Sequence, residues 1–235
     1  MSRKIRWEKA QNYEKNWWNK KKAAIDLSYL KKFADELRQQ VAPFVDQSKS
    51  LKILEIGSGP AGILTHLNAD LRCAVDPLED FYSSVSEYAD YRDKNVNYYK
   101  AMGEELPFDD SVFNLIIVDN VLDHCQSPYK VISEINRVAE IGAIIYFKQN
   151  TYHLIGKILR NILEKFEIDK GHPYNFTESD ILKIFCQKDY EILNRKGRGH
   201  IKQLFVELKM RNLKALIRIF TLMTRNKITL ILKKK

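Results

Sequence analysis

Three glycines, Gly57, Gly59 and Gly62, follow the apolar run Leu54-Glu55-Ile56, with a carboxylate before them at Glu55 and another after them at Asp76. Glycine tolerates positive φ and carries no side chain, so a turn built from Gly57, Ser58, Gly59 and Gly62 lets backbone approach a ligand closely. The spacing alone fits two chemistries, because dinucleotide-binding enzymes seat a pyrophosphate on the same three glycines. Glu55 separates them. A carboxylate two residues before the first glycine would repel a pyrophosphate and suits a ligand bearing ammonium and sulfonium charges, as S-adenosylmethionine does. Asp76 closes the next apolar run ahead of Pro77-Leu78, nineteen residues after Gly57, where a ribose diol needs an acceptor. Its structural alternative is a turn-forming Asp before Pro.

A sulfonium presents an already activated methyl group, so a protein that uses it supplies position and a dry site, and no metal is required. A hydroxyl acceptor would gain from a general base. His124, just past the fourth apolar run, is the best-placed candidate; its alternative is to cap or pack a local helix. His172, in Gly171-His172-Pro173-Tyr174, and His153 are further candidates for substrate contact, whereas His66 and His200 read as ordinary helix or loop residues. Tyr13, Trp17 and Trp18 could stack on an acceptor or form a packing seam, and Gln149 and Tyr174 stand where an acceptor would be read. Cys73, Cys125 and Cys186 lack CxxC spacing and read as buried thiols.

Stepping along the chain, apolar runs at Leu51–Ile56, Leu71–Val75, Val96–Ala101, Phe113–Val118 and Ala143–Phe147 read as strands. Helical patterns near Gly62–Asn68, Glu79–Tyr88 and Tyr129–Ala139 fill the gaps. This alternation predicts an α/β fold with a parallel sheet covered on both faces and ligands at the strands' carboxyl ends. Residues 1–50 form a helical N-terminal extension or lid, with a second amphipathic stretch over Asp26–Val41. Residues 51–235 hold the catalytic domain, with helical inserts at about 152–176 and 200–225; the loop Asp169–Phe176 closes the first insert. Thr177 with Asp180 caps a helix over Glu178–Cys186, and Tyr190–Arg195 and Ile228–Leu232 are closing strands.

Three further motifs follow in order: Gly103-Glu104-Glu105-Leu106-Pro107-Phe108-Asp109-Asp110, Asn120-Val121-Leu122-Asp123-His124 and Glu134-Ile135-Asn136-Arg137-Val138. With the glycine loop, they make Leu51–Phe147 resemble the class I S-adenosylmethionine-dependent methyltransferases, type 11 group, with weaker echoes in His172–Phe176 and the last strand. The resemblance implies a three-layer Rossmann-like fold whose mostly parallel seven-stranded sheet has an antiparallel last strand. It implies a transferase that uses S-adenosylmethionine and releases S-adenosylhomocysteine. By the same resemblance Glu55, Gly57, Ser58 and Gly59 line the methionine part, with Gly62 also cofactor-binding, Asp76 holds the ribose, Pro77 or Leu78 packs on adenine, and Asp119 or Asn120 flanks the sulfonium. Three positions depart from the family pattern. Met102 replaces an acidic adenine contact, leaving adenine to Met102, Gly103 and Glu104; Asn114 stands for Asp; and Glu140-Ile141-Gly142-Ala143 replaces a Pro-Gly-Gly turn.

The 235 residues suffice for one sizeable core, and neither a bilayer-long apolar run nor a signal-peptide pattern is present, so a cytoplasmic protein is expected. The formal charge of +9 is uneven: residues 1–32 carry +7 and 195–235 carry +12, leaving −10 between them. Basic ends could meet phosphate, a lipid headgroup or nucleic acid, or simply be solvated helix faces. The leading expectation is therefore methyl transfer to a small or medium acceptor such as a sugar, glycan or lipid-linked intermediate, with peripheral membrane contact through the basic inserts. RNA methylation is the second reading, although no base-amine Pro-Pro-Tyr/Phe motif or RNA-binding module is present. A cofactor-binding protein without transfer activity is the third.

Overall fold

A computed structural model describes residues 3–22, 26–46, 48–166, 171–186, 190–197, 199–210 and 212–235. Asp169 and Lys170 of the loop ahead of His172, and Arg211 of the basic insert, lie outside the described residues.

Seven strands form one sheet: β1 (Lys52–Ile56), β2 (Leu71–Asp76), β3 (Asn97–Lys100), β4 (Phe113–Asp119), β5 (Ala139–Thr151), β6 (Tyr190–Gly197) and β7 (Asn226–Lys234), in the order β3-β2-β1-β4-β5-β7-β6. β7 runs antiparallel to both β5 and β6, and the pairs from β3 through β5 are parallel. The central strands are runs of branched residues because both sheet faces are covered. One face packs Leu54, Ile56, Ile116, Val118, Ile145 and Phe147 against α5 (Pro128–Val138) and α7 (Glu178–Cys186); the other packs Ile53, Leu115, Ile117, Ile144 and Tyr146 against α2 (Tyr29–Val41). Chain order reverses between β1 and β4, which opens a crevice at their carboxyl ends.

Two of the sequence motifs turn out to be one staple. Arg137 donates to the carbonyls of Leu106 (3.0 Å) and Phe108 (2.7 Å) and to Asp110 (2.9 Å), while Glu134 accepts from the Leu106 amide (2.9 Å). Leu-Pro-Phe and Glu-Ile-x-Arg-Val thus fix α5 to the approach of β4. The departures at Asn114 and Glu140–Ala143 are structural too: Asn114 bridges the Lys52 amide and the Ser50 carbonyl, and Gly142 takes φ +84 inside β5.

Several expectations need correction. The helix near Gly62–Asn68 is a single 3-10 turn, Leu64–His66, because the glycine loop uses up most of the short span between β1 and β2. Glu79–Tyr88 is two short helices, α3 (Glu79–Ser83) and α4 (Ser86–Ala89), separated by extended Val85. The fifth strand runs from Ala139 to Thr151, well beyond Ala143–Phe147, because β7 pairs with it as far as Thr151. Cys73 and Cys125 are buried, but Cys186 ends α7 on its solvent side and is exposed. The Thr177 cap forms as expected, with reciprocal bonds to Asp180.

The N-terminal helix α1 (Arg3–Lys21) and α2 lie over the crevice. The inserts are α6 (Leu154–Lys165) and the pair α8 (His200–Lys209) and α9 (Leu213–Phe220). No helix among the described residues is long and apolar enough to cross a membrane.

Candidate functional site

At the end of β1 the chain turns through Gly57, Gly59 and Gly62, with φ of +72, +62 and +70. The amides of Gly57 and Ser58 both donate to the Val75 carbonyl (2.8 and 3.3 Å), tying the loop to β2. A Cβ on Gly57 would lie 2.6 Å from Val121, and one on Gly62 2.6 Å from the Glu55 carboxylate. A Cβ on Gly59 would meet nothing within 4 Å, so this glycine borders open space, as a ligand cradle requires. The Glu55 carboxylate accepts from the amides of Ile63 (3.0 Å) and Leu64 (3.3 Å) and so also shapes the loop. Asp76 accepts from Gly59 (2.9 Å) and Leu78 (2.9 Å). Burial pushes Glu55 up to about 8 and Asp76 up to about 7, and for Asp76 the nearby Glu14 adds to the effect. Two buried carboxylates with so few compensating charges suit a cationic guest.

Glu55, Gly57, Ser58, Gly59, Gly62, Asp76, Pro77, Met102, Gly103, Glu104, Asp119, Asn120 and His124 all line one cavity of about 350 Å³. Its carboxylates are Glu14, Glu55, Asp76, Glu104 and Asp119, and among the described residues that line it there is no Lys or Arg. That donor set rejects a pyrophosphate and fits a sulfonium with an ammonium group, which resolves the ambiguity of the glycine spacing. Glu104 also caps α5 by accepting from the amides of Gln126 (2.5 Å) and Ser127 (2.9 Å), and Asp119 is paired with Lys148 at 2.7 Å.

Asn120 follows β4 with φ +59, a left-handed conformation that Asn tolerates better than most residues. It is held from several sides: its Oδ1 accepts from the Asn150 amide (3.1 Å) and from Gln149 (3.2 Å). Fully buried Gln149 also donates to Asp123 (2.8 Å) and accepts from the Leu122 amide (3.1 Å). Gln149 therefore positions the segment Asn120–His124 from below and does not line the cavity.

The imidazole of His124 stands 3.6 Å from Glu14 through Nδ1 and 3.9 Å from Asp123 through Nε2. The His172 ring lies 4.7 Å from it between centroids, and Asp123, His124 and His172 offer ligand atoms all within 4.8 Å of one another. Such a cluster can move a proton or hold a cation.

Other candidates lie elsewhere. Leu78 packs beneath the sheet without lining the cavity, and His153 caps α6, accepting from the Ile155 amide at 3.3 Å. Tyr13 and Trp17 are solvent-exposed, whereas Trp18 lines the cavity and stacks edge-on to Tyr82 and Tyr88. Tyr174 donates to the Gln126 carbonyl (2.7 Å) and borders a separate cavity with Arg3 and Arg6. The expected N-terminal extension or lid supplies the roof through residues that no motif marks: Trp7, Gln11 and Glu14 of α1, and Tyr29, Leu30 and Phe33 from α2.

Comparison with known proteins agrees with this geometry. A family model described as a methyltransferase domain matches residues 54–147. A ubiquinone biosynthesis O-methyltransferase of Rickettsia felis is 25% identical over 201 residues, covering 81% of each chain. Among solved structures, a protein of Bacillus halodurans aligns with a TM-score of 0.65 at 17% identity, over 86% of this chain and 98% of its own. The geranyl diphosphate C-methyltransferase of Streptomyces coelicolor aligns at 0.62 and 13% identity, over 86% and 77%.

Proposed function

We propose that the chain, as a class I S-adenosylmethionine-dependent methyltransferase, methylates a hydroxyl oxygen on a small acceptor, with His124 as general base. The observation that carries this reading is the imidazole on the wall of the donor cavity with the Glu14 carboxylate 3.6 Å from its Nδ1. The name of the Rickettsia relatives, which are O-methyltransferases, supports oxygen as the acceptor atom.

When bound, S-adenosylmethionine supplies a methyl carbon whose bond to sulfur breaks as a nucleophile attacks from the opposite side. Asp76 would hold the ribose hydroxyls; Glu55 and the glycine loop, the methionine end; Met102, Gly103 and Glu104, the adenine; and Asp119, the sulfonium. His124 takes the acceptor's proton as the oxygen–carbon bond forms, and Glu14 stabilises the imidazolium that results. Trp7, Trp18, Leu30 and Phe33 exclude water from the reacting atoms. Sugar, glycan and lipid-linked alcohols are finer versions of the same acceptor class.

Incubation with methyl-labelled donor and a panel of phenols, sugars and lipid-linked alcohols tests the proposal, with product analysis of the methylated atom. Label on oxygen is expected. Label on nitrogen or carbon only, or a thermal shift with NAD and none with S-adenosylhomocysteine, would overturn it.

A further inference from the structure

A second, larger cavity of about 940 Å³ lies beneath the basic insert, between α8–α9 and the ends of β5 and β7. Phe33 lines both this cavity and the donor cavity, and the ion pair joining Asp119 to Lys148 (2.7 Å) has one member in each wall. The two neighbours have opposite sign. Where the donor cavity has carboxylates and, among the described residues, no Lys or Arg, the second has seven Lys and Arg side chains against Glu36 and Glu207.

Several of those cations also have local partners, Arg160 among them, which donates to Asn175 (2.8 Å) and lies 4.4 Å over the Tyr152 ring. Arg218 neutralises the buried Glu207 (2.6 Å), and Lys148 is held by Asp119 and lies 4.0 Å over the Phe33 ring. Lys196 and Lys202 line the same space, as do Arg225 and Lys227 on the approach to and start of β7, so by formal charge the lining holds seven cations against two carboxylates. Asn226 adds a neutral donor. It is 1% exposed and lines the cavity, and neither end of its side-chain amide has a hydrogen-bond partner among the described residues. A buried amide costs free energy unless something bonds it, so a ligand that accepts from it is the economical explanation.

We propose that this cavity seats a phosphate or diphosphate group of the acceptor, whose hydroxyl then reaches the donor cavity past Phe33. The seat for the anion stands on the cavity itself; its assignment to the acceptor rests on the methyltransferase reading above. A cationic donor and an anionic acceptor are thus received in adjacent compartments of opposite charge, and the Asp119–Lys148 pair keeps each field from cancelling the other's ligand. The donor cavity, small for a cofactor-plus-acceptor complex, needs such a neighbour.

Inorganic pyrophosphate is the probe, titrated calorimetrically into the full chain with and without S-adenosylhomocysteine. One site is expected, weakening several-fold between 50 and 200 mM salt. Lys196→Glu with Lys202→Glu should weaken it at least tenfold, as should Asn226→Ala. Asn226→Ala should leave the melting temperature unchanged or raised, because the amide it removes has no partner to lose; a purely structural Asn226 would lower it. In labelled-methyl assays, phosphorylated alcohols should be methylated at least tenfold faster than their dephosphorylated counterparts, and pyrophosphate should compete with them. No pyrophosphate binding while S-adenosylhomocysteine still binds would overturn this inference and leave the donor reading intact; failure of S-adenosylhomocysteine to bind would sink the donor reading instead. Pyrophosphate that binds without competing would make the anion a separate ligand, and an oligonucleotide that displaces pyrophosphate at lower concentration would assign the cavity to a nucleic-acid backbone. Either result also overturns it.

Discussion

Glu14 of α1 stands 3.6 Å from Nδ1 of His124, so the N-terminal extension sets a carboxylate beside the residue proposed as general base. A general base typically contributes about 10²–10⁴-fold. His124→Asn should lower kcat by about that factor with KM for the donor unchanged, and Glu14→Gln by a smaller factor, about tenfold. Steady-state kinetics on both variants, with pH profiles, checks this. Loss of donor binding in His124→Asn would assign the residue to binding rather than to proton transfer.

Asp76 and Glu55 couple the donor cavity to pH. Burial raises both, to about 7 and about 8, above their ordinary carboxylate values. In the window between those ordinary values and 7–8 the folded protein holds more protons than the unfolded chain, so stability falls as pH rises through it. A ligand that donates from ribose hydroxyls and an ammonium group, as S-adenosylhomocysteine does, favours the ionised carboxylates, and its affinity moves the other way. The melting temperature of the ligand-free protein should therefore drop from pH 5 to pH 9, while S-adenosylhomocysteine binds more tightly at pH 8 than at pH 6. Asp76→Asn should flatten both trends. Melting curves and calorimetry across that range decide it, and a ligand-free protein that grows more stable toward pH 9 would contradict the assignment.

The cavity floor was legible in sequence because a strand, a glycine turn and a carboxylate follow one another locally, so spacing alone brings Glu55, Gly57, Gly59 and Asp76 to one sheet edge. Its roof was harder to read. Trp7, Gln11, Glu14 and Trp18 recur at helical spacing and share a face, yet α1 has no clean apolar stripe to reveal which face turns inward. Attention to aromatic type alone selects Tyr13 and Trp17, which sit on the solvent side. His172 and His124 are far apart in sequence, and only the fold brings their rings together. The partition into opposite charges was invisible for the same reason: Lys148, Lys202 and Lys227 come from three separate elements.

Close approach of a neighbour requires glycine at Gly57 and at Gly156. Gly57 has φ +72 and a Cβ there would collide with Val121 at 2.6 Å; Gly57→Ala should cost about 1–3 kcal/mol and weaken donor binding. Gly156, inside α6, faces the Leu222 carbonyl, where a Cβ would lie only 2.0 Å away. Gly156→Ala should cost a similar amount, about 1–3 kcal/mol, and separate α6 from the segment after α9 without touching the donor cavity. Denaturant unfolding paired with S-adenosylhomocysteine titration distinguishes them: both variants lose stability, and only Gly57→Ala loses affinity when folded.

Asp123, His124 and His172 have the side chains of a metal site as well as of a proton relay, and the two roles make opposite demands on His124. An imidazole that accepts a proton must keep a nitrogen lone pair available, whereas a metal ligand has given it up. Gln149 donates to the Asp123 carboxylate at 2.8 Å, and Asn120 lies 3.4 Å from its other oxygen, so that carboxylate is already partly satisfied by neutral donors. The relay reading therefore expects kcat to be unaffected by prolonged treatment with EDTA, and added Zn²⁺ to inhibit by occupying the three ligands. His172→Ala should relieve that inhibition while retaining most of the activity. Activity lost to the chelator and restored by one divalent cation would turn His124 from a base into a ligand, and metal analysis of the protein as purified would then show one equivalent.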